Sequence, residues 1–459
     1  MKKIIIILFS LIFIVGCSNS TDEINHFEVG QNYLESYEYD EAFNEFQAGI
    51  LKKPSDEQNY LALAEIYSKK GDIDKSIDIL NQGFNANASN KISNSLGQIY
   101  LTRGEFEESM KWFDSSLLKD PTDKDAMKGK IKLLSLTKNA EGLKAFLDSI
   151  DTASFDSELL IMKGVLTLED TKEASRLILQ SNTIDDVNMD LAVELRMALT
   201  AYESAQTVHN LSEIIYILLN YRWYEIAQTP VSKVLTDNQF YETAYVYQGL
   251  IDLHTSQYDK AIENFIKVRE LNPNNVDAYI FQAQVSSLKN DEINAMLIID
   301  EILAIENLQL TANQYSTIQQ IYYDLGKLEE IEKLYLKYSE IIEIPASEKI
   351  KYVETMIKLG KFNQADLIIQ GLVDTEGLSS AEKAKLKSFD AITSYKLDRK
   401  QEGMDKITEA ENIDNTIAII HYNKGLIMKD MGRAAEAQIA FERAVELDLQ
   451  GNVTKLIQN

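Results

Sequence analysis

What most constrains this chain is a series of small, aromatic and proline residues that returns about every 34 residues. Gly30 and Tyr33 are followed by Ala42, Phe46 and Pro54. Ala64, Tyr67 and Leu80 repeat those intervals, as do Gly97, Tyr100, Phe113 and Pro121. The series returns at Gly249, Ala261, Phe265 and Pro273, and again at Ala283, Ala295 and Ile299. Weaker copies follow at Tyr322 and Tyr335, at Ala365 and Ile369, and at Ala391, Gly403, Ile407 and Ala410. Gly425, Ala437, Phe441 and Ala444 close it. About twelve units begin near residues 23, 57, 90, 123, 157, 208, 242, 276, 312, 346, 384 and 418.

Each recurring residue has a physical task. Small residues let two helix axes approach, as ridges-into-grooves packing requires, and the aromatic fills the space between one helix pair and the next. Pro54, Pro121 and Pro273 share one register, just past a second helix, where proline stops it. Gly71, Gly104, Gly326, Gly360 and Gly432 share another, at the turn after a first helix, where a left-handed cap is needed. With 5 prolines and 19 glycines in 459 residues, the composition favours helices over many tight β-turns. The pattern resembles the tetratricopeptide repeat (TPR) family. The resemblance implies an all-α, helix-turn-helix solenoid wound as a right-handed superhelix, and it spans nearly all of the chain after the first twenty residues.

The register weakens between residues 123 and 241. Repeat four keeps Phe146 but has Gly142 where alanine is usual, and repeat five, around Gly164 and Ala174, is two residues short in its turn. Residues 186–206 read as a helix without a partner, and Pro230 falls inside an expected second helix, where it predicts a kink. The expected organisation is an arm over 23–122, a degenerate joint over 123–241 and a second arm over 242–459, with 452–458 capping the last apolar face.

The first residues carry a different signal. Lys2 and Lys3 precede a run over 4–15 that is apolar apart from Ser10. The run is short for a bilayer-spanning helix and suits the apolar stretch of a secretory signal. It ends in Ile14-Val15-Gly16-Cys17, before the polar residues 18–23. This resembles the bacterial lipobox. The resemblance implies a signal peptide over 1–16, a covalent diacylglycerol and acyl lipid (palmitate-type) on Cys17, and a tether over 17–22. Several acyl chains would hold the protein firmly to the cell envelope. Ser18, in place of aspartate, implies the outer membrane facing the periplasm if the cell is Gram-negative.

Composition and motifs disfavour other functions. A net charge of −26, from 72 acidic and 46 basic residues, repels nucleic acid. The single cysteine leaves no disulfide framework or multi-cysteine metal site. None of the histidines at 26, 209, 254 and 421 opens an H-E-x-x-H run, so no metal site is expected. Gly129-Lys130, Gly326-Lys327 and Gly360-Lys361 lack the following Ser or Thr of a phosphate loop. Glu35-Ser36 and Glu203-Ser204 resemble a lytic-transglycosylase dipeptide without a catalytic domain around it. No enzymatic activity and no cofactor beyond the Cys17 lipid are expected.

In TPR proteins the first helices line the concave surface, at the second, fifth, ninth, twelfth and thirteenth positions of each repeat. The resemblance thus implies partner contacts at Val246, Leu250, Leu253 and His254, then Ile280, Gln284 and Leu288, then Gln320 and Tyr323. Apolar anchors among amides suit an extended peptide or a partner helix. Phe27 and Gln31 stand where some TPR co-chaperones carry a carboxylate-clamping Lys and Asn. The expected function is a lipid-anchored envelope scaffold that binds or assembles other envelope proteins, as in exopolysaccharide export, pilus secretin assembly or outer-membrane assembly. The alternative is a cell-wall enzyme accessory or a lipoprotein that captures glycan or peptide.

Overall fold

A computed structural model of the protein describes residues 24–150, 155–184, 188–305, 308–449 and 451–458. The signal peptide, Cys17 and the tether lie outside these residues. Among them the chain forms twenty-six α-helices and no strand. No described helix is long and apolar enough to cross a membrane.

The helices pair in chain order. The first five hairpins are α1 (His26–Glu35) with α2 (Tyr39–Lys52), α3 (Glu57–Lys69) with α4 (Ile73–Ala86), α5 (Asn90–Thr102) with α6 (Phe106–Lys119), α7 (Lys124–Leu136) with α8 (Ala140–Ser149), and α9 (Ser157–Leu166) with α10 (Thr171–Ser181). Helix α11 (Met189–Ser204) stands alone, before α12 (Val208–Asn220) and α13 (Tyr224–Asp237). Then come α14 (Glu242–His254) with α15 (Tyr258–Leu271), α16 (Val276–Leu288) with α17 (Glu292–Leu303), and α18 (Ala312–Asp324) with α19 (Leu328–Tyr338). The last hairpins are α20 (Ala346–Lys358) with α21 (Phe362–Gln370), α22 (Ser380–Lys396) with α23 (Lys400–Ile413), and α24 (Ala418–Asp430) with α25 (Ala434–Leu447). Helix α26 (Asn452–Gln458) packs on α24 and α25.

Local chemistry sets the helix ends. Asp56, Ser89 and Asp123 accept hydrogen bonds from the backbone N–H groups of Gln58, Lys91 and Ala126, and so start α3, α5 and α7. At the hairpin turn Gly71 donates to the carbonyl of Ser68 and Asp72 to that of Tyr67, which requires a left-handed residue between them. All five turn glycines are left-handed, with φ between 69° and 77°. Tyr37, Lys138, Arg222, Ser256, Asn290 and Asp398 adopt the same conformation in other hairpins. A Cβ on Gly71 would meet nothing within 4 Å, so any cost of Gly71→Ala is backbone strain. We expect a loss of about 1 kcal/mol, read from the urea midpoint. An unchanged midpoint would mean the turn carries no strain.

Small-against-aromatic packing joins the two helices of a hairpin. A Cβ on Gly97 would lie 2.7 Å from the Phe113 ring, one on Gly249 2.5 Å from Phe265, and one on Gly425 2.4 Å from Phe441. Where serine fills the facing small position, its hydroxyl is satisfied internally. Ser109 Oγ donates to the Gly97 carbonyl (2.8 Å) and Ser76 Oγ to that of Ala64 (2.9 Å).

Two details of the weak region correct the sequence reading. In repeat four the buried positions of α8 are Leu143 and Leu147, one residue beyond Gly142 and Phe146. In repeat five the shortening lies in α9, which has 10 residues against 13 in α7, and not in the turn at 167–170. Pro230 lies inside α13, the second helix in which the sequence placed it.

Residues 123–241 share a continuous core that extends from Leu101 to Ile251. Helix α13 doubles back to pack on the first helices α7 and α9, and Ser135 Oγ and Thr229 Oγ1 share a hydrogen bond at 2.7 Å. The first and last hairpins also meet, α2 against α25, where Arg443 Nη1 donates to the Tyr37 carbonyl at 3.4 Å.

Candidate functional site

The first helices are those that the resemblance places on the inner face, and α13 packs across two of them, α7 and α9. On the N-terminal side, the second, fifth and ninth positions of α5 are Lys91, Asn94 and Gln98, and those of α7 are Asp125, Lys128 and Lys132. With Glu158 of α9 they border a cavity of about 510 Å³. Lys128 Nζ lies 2.6 Å from Glu158 and 2.9 Å from Asp156. Burial works to lower the Lys128 pKa, but the hydrogen bonds and charges of Glu158 and Asp156 outweigh it and hold the ammonium above its ordinary value. Lys132 stands farther off, 4.0 Å from Glu158. Asn94 donates to both oxygens of Asp123 at 3.0 and 3.1 Å, which fixes its amide. Its Oδ1 is buried without a partner among the described residues. The cavity therefore offers an exposed amide at Gln98 and two loosely paired ammonium groups, Lys132 and Lys91, the latter 3.5 Å from Glu57, a set that matches the carbonyls and carboxylates of a peptide.

A second cavity, of about 260 Å³, lies at the C-terminal end between α18, α20, α22, α24 and α26. Tyr323 Oη donates to Glu354 at 2.6 Å, while Lys358 Nζ donates to Tyr323 Oη at 2.9 Å and lies 2.8 Å from Glu354. Burial, followed by the Glu354 charge, pushes the Tyr323 phenol up to about 12. The triad is closed on itself, and the apolar Phe389, Ile419 and Leu456 complete the wall.

The nine residues expected from the sequence do not form one surface. Tyr323 borders the second cavity. Gln320 accepts from Lys351 Nζ at 3.0 Å, so it belongs to the same α18–α20 contact. Val246, Leu250 and Gln284 are half-buried, and Leu288 is exposed. His254 stacks on Tyr224, with ring centroids 4.1 Å apart, and so serves the packing of α13. Two expectations need correction. Ile280 is 1% exposed and Leu253 7%. Ile280 is held where α16 packs on α18, and Leu253 in a cluster with Ala261, Phe265 and Val285. Neither offers a contact surface.

The N-terminal cavity was missed, although its signal was present. The inward positions used for repeats seven to nine, applied to repeat three from residue 90, give Lys91, Asn94 and Gln98. Repeat four begins at Lys124, one residue later than its expected start at 123, and that offset hides Lys128 and Lys132. Among the described residues no group of three or more His, Cys, Asp or Glu is placed to hold a metal ion.

The tetratricopeptide repeat profile matches residues 57–90 and 418–450, which contain hairpins α3–α4 and α24–α25. A comparison with curated proteins gives no match. Among solved structures, the chain is similar to the APC/C hetero-tetramer Cut9–Hcn1 at 13% identity and a TM-score of 0.37, over 95% of this chain and 89% of that one. It is similar to yeast Tom70 at 15% identity and a TM-score of 0.34, over 95% and 98%. It is also similar to YrrB, described as a TPR protein with an unusual peptide-binding site, at 11% identity and a TM-score of 0.27, over 50% and 97%. The chain thus carries tetratricopeptide repeats at these two positions, and further hairpins keep the left-handed turn and the small-against-aromatic packing.

Proposed function

We propose that the protein is a lipid-anchored scaffold of the bacterial cell envelope that binds other envelope proteins along its inner face. The observation that carries the binding reading is the convergence of inward residues from α5, α7 and α9 on one polar cavity. There the exposed Gln98 amide and the Lys132 ammonium, 4.0 Å from Glu158, can donate to the carbonyls and carboxylates of a peptide. The anchor rests on the lipobox residues Ile14-Val15-Gly16-Cys17 and on the polar stretch that follows them.

Crosslinking in cells, followed by purification and mass spectrometry, tests both parts. The wild-type chain is expected to recover a defined set of envelope proteins. Gln98→Ala with Lys132→Ala should reduce that recovery about tenfold, as loss of one or two hydrogen bonds predicts, without changing the melting temperature. Cys17→Ala should abolish incorporation of labelled fatty acid and release the protein from membranes. Recovery of glycan fragments without protein partners would overturn the scaffold reading in favour of capture. An unlabelled wild-type protein would overturn the anchor.

A further inference from the structure

Among the described residues α11 is the one helix between α1 and α25 that has no hairpin partner, and it is apolar on two sides. Leu191, Ala192, Leu195, Leu199 and Tyr202 are buried against α10 and α12. On the opposite side Met189, Val193 and Met197 follow one another at i, i+4 and i+8, with exposures of 49%, 40% and 71%. Leu179 on α10, Ile184 before α11 and Tyr216 on α12 are exposed as well. Among the second helices, α6 carries only Leu118 exposed, α17 the pair Ile293 and Leu297, and α25 the pair Ile439 and Val445; single residues and pairs of this kind need no explanation. A stripe of this length at helical spacing does.

The charges around the stripe indicate what would cover it. On a helical wheel Asp190 and Glu194 flank one edge of the stripe, and Arg196 and Glu203 the other. Glu213 of the neighbouring α12 is exposed, and Glu194 is held by the Tyr221 hydroxyl at 2.9 Å. One cation among five charged groups leaves the rim acidic. A second copy of this chain would bring the same acidic rim and be repelled.

We propose that the outer face of α11 docks a basic amphipathic helix of a partner protein. The three anchors on α11 span about two turns, so they meet an equal row of apolar residues on an incoming helix. The two methionines adapt to the shape of that row, while Lys or Arg on its flanks meets Asp190, Glu194 and Glu203. This surface lies apart from the inner-face cavities, so the two binding readings stand or fall separately.

The test uses the full chain and a fluorescein-labelled Leu/Lys peptide about four turns long, with leucines at helical spacing. Its scrambled form, of identical charge, is the control. The amphipathic peptide is expected to bind at least tenfold more tightly than the scrambled one and to weaken as salt rises. Met189→Asn, Val193→Asn and Met197→Asn together should remove that tenfold preference while leaving the circular dichroism and melting temperature unchanged, since all three side chains are exposed. Asp190→Lys with Glu194→Lys should flatten the salt dependence. Equal binding of the two peptides, or a preference that survives the triple variant, would overturn the proposal. So would a concentration-dependent dimer, or binding to neutral phosphatidylcholine vesicles, that the triple variant abolishes, because the occupant would then be a second copy or a lipid surface.

Discussion

Replacing Phe113 by alanine is expected to cost about 3–5 kcal/mol of folding stability. The ring is 1% exposed and is clamped between hairpins. A Cβ on Gly97 of its own hairpin would lie 2.7 Å from it, and one on Gly129 of the next hairpin 2.2 Å. Removing the ring therefore opens a void at the joint between two repeats, and the helix backbones on both sides cannot close over it without shifting. In a solenoid each repeat contacts mainly its neighbours, so the damage should stay local. Hydrogen exchange should quicken in α5 to α8, and also in α13, which packs on α7. The hairpins α22–α23 and α24–α25 should keep their wild-type protection. Uniform loss along the chain would mean that the α2–α25 contact and the α13 crossing bind the repeats into one cooperative unit.

How much of this was legible depends on the distance over which each feature is determined. Gly71 and Pro54 act within a turn or two of themselves, so the hairpin boundaries follow from spacing alone. Repeat four shows the limit of spacing. Gly142 and Phe146 stand four apart, as do Leu143 and Leu147, and only the start of α8 after the Asn139 cap decides between them. The unpaired α11 and the terminal α26 could be read because their neighbours consume the pattern on either side. The packing of α13 across α7 and α9 could not, since Ser135 and Thr229 meet across 94 residues of sequence. The same holds for Ile280, whose position faces inward along its own helix and is then buried by the approach of α18.

The junction of α13 with α14 also holds a buried acid, whose titration predicts a pH-dependent stability. Asp252 stands in the register that Tyr67, Tyr100 and Tyr322 occupy in other repeats, and it is 2% exposed. A chain of amides feeds it. Gln228 and Gln248 exchange hydrogen bonds at 2.8 Å in both directions, Gln248 donates to Asp252 at 3.1 Å, and Asn264 donates to its other oxygen at 2.8 Å. Burial raises the carboxyl pKa to about 6, against the opposing pull of these amides and of Lys138 and Lys260. The folded value lies above the ordinary 3.8, so the folded state holds the proton more tightly than the unfolded one. The contribution is complete below about pH 4 and is lost as pH rises through 6, a fall of about 3 kcal/mol.

Asp252→Asn should remove that fall. The Gln228–Gln248 pair can turn over together, so that Gln248 accepts from the new amide and Ser232, now 3.0 Å from Gln228, supplies a donor at the far end. The variant is therefore expected to be more stable than wild type at pH 7.5, and to close or reverse the difference at pH 4.5. Urea midpoints at the two pH values measure this directly. A difference between the two proteins that does not change with pH would mean that Asp252 is ionised throughout, with its charge balanced by groups other than these amides.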